Sequence, residues 1–290
     1  MAFWRRWLGR SSYAGRWREM VHRSALTLKL LTYAPTGAIV AAPTTSLPEV
    51  VGGTRNWDYR YTWMRDAAFS VYALLRIGFT DEAAAFMARL QDRVRHGADR
   101  ESGPLQIMYG IDGREDLTEV ELGHLRGYRD SAPVRIGNGA ARQRQLYIYG
   151  ELMDTLYLCH EGGLPIYQEG WDDITRVLDW LFEHWDQPDE GIWETRSGRR
   201  NFTRSRLMSW VAIDRAIRIA LQRGLPADLL RWMTVRDSIY RQINARGWHP
   251  GRHAFVQHYD TDVLDASLLL MPLCKFIAPT RLTERHQAPG

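Results

Sequence analysis

The spacing of apolar residues predicts a chain built almost entirely of helices. Between residues 16 and 32, Met20, Ala25, Leu28 and Leu31 recur at helical spacing and so share one face. Strand signals are few, and the clearest is a short run at 38–42. The helical pattern predicts further helices at 64–77, 80–95, 140–159, 171–185, 203–221, 227–245 and 262–276.

Turns that carry Gly, Pro or Trp separate these helices. Gly78 ends the helix at 64–77, and Thr80 begins the next helix. The apolar side of the helix at 64–77 is expected to carry Phe69, Tyr72, Ala73 and Leu75. The region 97–139 is rich in glycine and charge and has no clear periodicity, which is typical of a connection that wraps a site. No repeat of fixed length is present, so the pattern favours an all-α array of helical hairpins, as in an irregular α/α toroid.

Composition and charge exclude several classes of protein. The chain has 290 residues, 45% of them apolar and 25% charged, with a net charge of +4, so it does not resemble a nucleic-acid-binding protein. No apolar run is long enough to span a membrane. The basic, aromatic segment 1–8 is expected to be a connector, and its alternative is an interfacial membrane anchor. Cys159 and Cys274 have no metal or redox spacing, so we expect buried free thiols, a cytoplasmic setting, and no metal or cofactor.

The segment 56–66, Asn-Trp-Asp-Tyr-Arg-Tyr-Thr-Trp-Met-Arg-Asp, is the first candidate site. It combines four aromatic residues, two Arg and two Asp at the start of a predicted helix. Aromatic rings beside bidentate charged groups suit a sugar, which offers apolar C–H faces and a rim of hydroxyl groups. The alternative is a surface ion-pair network around buried aromatic residues.

A second candidate site lies at 188–196, between two predicted helices. Asp189-Glu190-Gly191 is typical of a turn, and Glu194 directly follows Trp193. A carboxyl group beside an aromatic wall is desolvated, which raises its pKa and allows it to act as a general acid near neutral pH. The alternative is a surface ion pair of Glu194 with Arg196 or Arg199.

Several motifs, in the same order along the chain, resemble glycoside hydrolase family 15, the family of glucoamylases, glucodextranases and certain bacterial trehalases. The aromatic and charged stretch at 57–66 and Gly191-Ile192-Trp193-Glu194 carry the resemblance most strongly. The other matching segments are 30–49, 109–113, 135–138, 149–151 and 264–269.

The resemblance implies an (α/α)₆ barrel that hydrolyses α-linked glucose with inversion, using one carboxyl group as acid and another to activate water. By motif, Glu194 resembles the general acid, and Arg65 and Asp66 resemble the pair that grips the terminal glucose. Tyr59 resembles the residue near the catalytic water. Trp63 and Trp193 resemble walls of the pocket. The implied partner is an α-glucoside or oligosaccharide substrate, with no nucleic acid, membrane or cofactor.

Two positions depart from the family pattern. Thr195 stands where fungal glucoamylases have a second carboxylate that binds the next sugar. Tyr147 stands where many bacterial members have Asp. The first difference predicts altered recognition of the part of the substrate that leaves, and the second predicts that another substrate contact is weakened.

Family members also continue past the motif around Asp265 and take their general base from a later Glu-bearing segment. We therefore expect an internal piece of a longer protein, in which the general base is missing from this chain and exposed helix faces promote association. The alternatives are a catalytically dead carbohydrate-binding remnant and an unstable structural fragment. The expected domains are a connector remnant at 1–15, a partial barrel of about eight of twelve helices at 16–280, and a tail at 281–290.

Overall fold

A computed structural model describes residues 1–97, 103–194 and 198–278 of the chain. Over these ranges the fold is mostly helical, as the sequence predicts, and the short strands pair only in twos. The helices are α1 (Ala2–Leu8), α2 (Arg18–Leu30), α3 (Met64–Arg76), α4 (Thr80–Gly97), α5 (Ile148–Glu161), α6 (Gln168–His184), α7 (Thr203–Arg223) and α8 (Leu229–Gln242). The antiparallel ribbons are β1–β2 (Thr32–Tyr33, Ala38–Ile39), β3–β4 (Thr45–Pro48, Asn56–Asp58), β5–β6 (Thr62–Trp63, Met108–Tyr109), β7–β8 (Val120–Glu121, Arg135–Ile136) and β9–β10 (Trp248–His249, Ala254–Phe255).

The chain divides into two compact units. The first comprises Met1–Arg142 and Leu158–Ile166, and the second comprises Gln143–Tyr157 and Tyr167–Gly290. The division assigns the segment 56–66 to the first unit and the loop that ends at Glu194 to the second. Thr195, Arg196 and the expected tail at 281–290 lie outside the described residues. In the described parts of the chain, no helix combines the length and apolar character that crossing a bilayer requires.

The core of the first unit includes helix α1, which the sequence pattern does not predict. Trp7 stacks on Phe79 with ring centroids 3.9 Å apart, and its indole Nε1 donates to Glu82 at 2.7 Å. Lys29 of α2 donates to the same carboxylate at 2.8 Å. A helix of seven residues is marginal by itself. These tertiary contacts stabilise α1, and contacts between distant residues are not readable from local spacing.

The second unit is built around α7, which is buried on all its sides from residue 203 to residue 217. Helices α6 and α8 pack against it. Gly150 of α5 lies so close to α7 that a Cβ atom there would come within 2.3 Å of the Met208 carbonyl oxygen. The next residue, Glu151, accepts a hydrogen bond from Arg204 at 2.6 Å, and both side chains are buried. The Tyr-Gly-Glu motif at 149–151 therefore joins two helices of the second unit.

Three sequence predictions about the helices are wrong. The helix expected at 140–159 begins only at Ile148, after a separate 3₁₀ turn at Gly139–Arg142. The helix expected at 262–276 is only a short 3₁₀ turn at Ala266–Leu270, capped by Asp265, whose carboxylate accepts from the Ser267 amide at 2.8 Å. Pro272 lacks an amide hydrogen and disfavours continuation of a helix. In α3, Phe69 and Tyr72 are exposed, and the buried side instead carries Met64, Ala67, Ala68, Val71 and Leu74. Helix α3 carries apolar residues on more than one of its faces, so periodicity alone cannot identify the face that is buried.

Candidate functional site

The candidate sugar-binding segment, 56–66, contains two short strands followed by the start of a helix. Strand β4 pairs with β3, β5 pairs with β6, and α3 begins at Met64. This arrangement places Tyr59 between two strands, Trp63 at the end of β5, and Arg65 and Asp66 in the first turn of α3. A carboxylate in the first turn is favoured by the helix dipole.

Asp58 anchors this segment from within. Its side chain is fully buried and accepts from Arg60 Nε and Nη2, each at 2.8 Å. The Tyr61 hydroxyl and the Gly137 amide also donate to it, at 3.0 and 3.2 Å. Burial by itself would raise the pKa of Asp58, but the hydrogen bonds and charge of Arg60, with the Tyr61 hydroxyl, hold the pKa below its usual value. The carboxylate therefore stays ionised and fixes the backbone that carries Tyr59.

Two aromatic rings that the sequence singles out lie together. The ring centroids of Tyr59 and Trp63 are 5.8 Å apart. Trp63 is 2% exposed, whereas Tyr59 is 36% exposed. Tyr59 therefore presents its ring at the surface of the first unit, and Trp63 supports that ring from the core.

Arg65 and Asp66 form an ion pair at the start of α3. Arg65 Nη2 lies 3.0 Å from Asp66 Oδ2, and the two side chains are 19% and 40% exposed. A guanidinium group beside a partly exposed carboxylate offers both donors and acceptors to neighbouring hydroxyl groups. The pair thus has the chemistry that holding a sugar requires.

The candidate acid lies in the second unit, in a loop with an unusual backbone. Glu194 is half-buried and adopts a φ of 53°, in the left-handed region that non-glycine residues rarely occupy. Gln143 Nε2 approaches its carbonyl oxygen at 3.5 Å. Such conformations persist only where surrounding structure enforces them, and they are frequent at functional sites.

Trp193 is 55% exposed, and its indole Nε1 donates to Asp265 Oδ2 at 2.8 Å. The indole is thereby oriented by the residue that caps the 3₁₀ turn. Arg199, one of the two predicted surface partners of Glu194, donates to Glu190 at 2.9 Å. Arg196 lies outside the described residues.

Asp189 and Ser205 form a buried polar pair that the sequence does not predict. Asp189 is fully buried at the start of the acid-bearing loop, and Ser205 Oγ donates to it at 2.6 Å. In the sequence, Asp189 reads only as part of a polar turn before a glycine. Its partners come from distant positions in the chain, so no local signal identifies it as a buried carboxyl group.

Comparison with solved structures defines the class of fold. A glycosidase in complex with glucose matches with a TM-score of 0.67 and 18% identity, covering 91% of this chain and 64% of that chain. A glucoamylase from Saccharomycopsis fibuligera matches with a TM-score of 0.59 and 17% identity, covering 87% of this chain and 55% of that chain. These similarities confirm the predicted all-α class, with a fold of the (α/α)₆ glucoamylase type.

Residues 15–290 match the model of glycosyl hydrolases family 15, and the chain belongs to that family. A trehalase of Mycobacterium tuberculosis is 43% identical over 277 residues, covering 95% of this chain and 40% of that protein. A trehalase of Thermoplasma acidophilum is 41% identical over 275 residues, covering 95% of this chain and 46% of that protein. The chain thus spans less than half the length of these curated relatives.

Proposed function

We propose that this chain carries the glucose-holding residues and the general acid of an enzyme that removes a terminal α-linked glucose with inversion. Trehalose is the first substrate to test, because the relatives that are 41% to 44% identical are named trehalases. The observation that carries the proposal is Glu194, a carboxyl group next to an exposed Trp, held at a φ of 53°. The cytoplasmic setting expected from the sequence belongs to the same proposal.

In this proposal residues of the segment 56–66 bind the terminal glucose. Arg65 and Asp66 hydrogen-bond its hydroxyl groups, and their 3.0 Å ion pair supports this role because it orients both side chains. Tyr59 contacts the catalytic water. Trp63 forms the buried side of the pocket, and its contact with the Tyr59 ring supports that assignment.

Glu194 donates the proton to the leaving oxygen, and Trp193 forms a wall beside it. The hydrogen bond of Trp193 to Asp265 supports this assignment, since a fixed indole can limit water around the carboxyl group. These residues hold the sugar and donate a proton, and none of them is proposed as the water-activating base. A strong external nucleophile should therefore substitute for the base and its water.

Azide provides that test. Azide attacks C1 of the bound glucose from the β face, the C1–O bond breaks, and the Glu194 proton passes to the leaving oxygen. Trehalose then yields β-glucosyl azide and glucose, which NMR distinguishes from unreacted substrate. We expect the native chain to form this product and Glu194→Gln to form none. Asp66→Asn should reach half its maximal rate only at a higher trehalose concentration than the native chain.

The controls separate the enzyme from its alternatives. Maltose and isomaltose, used in parallel, test which α-glucoside is preferred. The catalytic proposal would be contradicted if the chain bound glucose saturably but formed no β-glucosyl azide, and if Glu194→Gln left the glucose affinity unchanged. That result would favour a binding remnant. Absence of a cooperative thermal transition would favour an unstable fragment.

A further inference from the structure

Several contacts attach the loop that carries Glu194 to the second unit, among them two hydrogen bonds of Glu190 with the Arg144 backbone and one fully buried carboxyl group, that of Asp189. Asp189 Oδ2 accepts from Ser205 Oγ at 2.6 Å and from the Leu146 amide at 2.8 Å. These two donors belong to α7 and to the residues just before α5. Asp189 therefore links the start of the loop to two separate elements of the same unit.

The backbone next to Asp189 is fixed as well. Its amide donates to the Arg200 carbonyl oxygen at 3.0 Å, and the Arg200 amide donates back at 2.8 Å. Gly191 has a φ of 69°, and a Cβ atom there would lie 2.6 Å from the Phe202 ring. The path from Asp189 towards Glu194 thus leaves little room for alternative conformations.

Asp189 itself cannot be the proton donor to a sugar, because its side chain is completely buried. A group without exposed surface can act only through the residues that it holds. Glu194 is half-buried at the other end of the same short loop. Its left-handed backbone conformation has an energetic cost that the loop must offset through such attachments.

We propose that Asp189, held by Ser205 and the Leu146 amide, is the positioning residue that orients the acid-bearing loop and hence Glu194. This inference rests on the proposed function, since it assumes that Glu194 is the acid. The charged groups that act on Asp189 are Arg206, which favours the carboxylate, and Glu190, which opposes it. Both protonation states of Asp189 retain an oxygen that accepts from Ser205 and Leu146.

Hydrogen exchange of the amides at 189–194 tests the attachment directly. Removal of a buried hydrogen-bond partner should speed this exchange about tenfold or more in Ser205→Ala and in Asp189→Leu. Asp189→Asn keeps an acceptor and should remain close to the native rate. Asp237→Asn, an exposed substitution on α8, is the matched control. Unchanged exchange in both Ser205→Ala and Asp189→Leu would overturn the inference.

The second measurement distinguishes orientation of the acid from a general structural effect. Both trehalose and α-glucosyl fluoride yield β-glucosyl azide, but fluoride leaves without needing a proton. Ser205→Ala should lower the ratio of the trehalose rate to the α-glucosyl fluoride rate about tenfold. Asp189→Leu should lower this ratio as well, whereas Asp189→Asn should keep most of the native ratio. Equal losses on both substrates would contradict a positioning role.

The outcomes separate this inference from the proposed function. If Glu194→Gln leaves the trehalose rate unchanged, the proposed function fails, whatever the exchange data show. If Glu194→Gln abolishes that rate and Ser205→Ala changes neither exchange nor the substrate ratio, only the role of Asp189 fails.

Discussion

Substitution of Asp58 by Asn should destabilise the first unit far more than its sequence context suggests. The change removes the charge that faces Arg60 and weakens the acceptor used by the Tyr61 hydroxyl and the Gly137 amide. Breaking a buried ion pair costs about 3–5 kcal/mol. Because the Arg60 side chain is 45% exposed and regains water, we expect the lower end, a loss of about 3 kcal/mol in unfolding free energy.

The chain offers a matched control for this change. Asp112 and Arg114 repeat the Asp-x-Arg spacing, and Arg114 Nη1 donates to Asp112 Oδ2 at 3.2 Å. Both of these side chains are 56% exposed. An exposed pair is worth no more than about 1 kcal/mol, so Asp112→Asn should be nearly neutral.

Urea unfolding at several pH values measures both effects. The pKa of Asp58 is lower in the folded state, so its carboxylate contributes stability above the unfolded pKa of about 4. That contribution is lost as the pH falls through the folded pKa. The difference between the native chain and Asp58→Asn should therefore be full near neutral pH and shrink in acid. A loss no larger than that of Asp112→Asn at neutral pH would refute the reasoning.

Three further predictions concern the two candidate sites. Asp66→Asn breaks the ion pair with Arg65 and should weaken glucose binding about tenfold in a calorimetric titration, with unchanged affinity contradicting its role. Gly191→Ala forces a side chain into a φ of 69° against the Phe202 ring and should cost about 2–4 kcal/mol by urea unfolding, whereas a neutral effect would show that the loop relaxes freely. Burial raises the pKa of Asp189 to about 6, so the folded state favours its protonated form. The native chain should lose about 3 kcal/mol as pH rises from about 4 to 6, and Asp189→Asn should remove that slope.

Much of the fold could be predicted from the sequence because the residues that begin and end helices agree with the periodicity of the apolar residues. Gly78 followed by Thr80 marks the boundary between α3 and α4, and α7 begins at Thr203 as predicted. Helix α1 could not be predicted, because its stability depends on Phe79 and Glu82, which are far away in sequence.

The residues of the candidate sites could be predicted from the sequence, but the buried residues that hold them in place could not. The sequence alone shows the cluster of aromatic and charged residues at 57–66 and the Trp-Glu pair at 193–194. The burial of Asp58 and Asp189 could not be predicted, since a polar residue in a turn is normally exposed. Their partners Gly137 and Leu146 become neighbours only in the folded chain.

The most direct test of Glu194 as the general acid compares Glu194→Gln with the native chain on two substrates in azide. Loss of a general acid should lower the rate on trehalose about 100-fold or more, because its leaving oxygen needs a proton. The rate on α-glucosyl fluoride should remain within about threefold of the native rate, since fluoride leaves as an anion. Equal rates on trehalose for both chains, or equal losses on both substrates, would contradict the assignment of Glu194 as the proton donor.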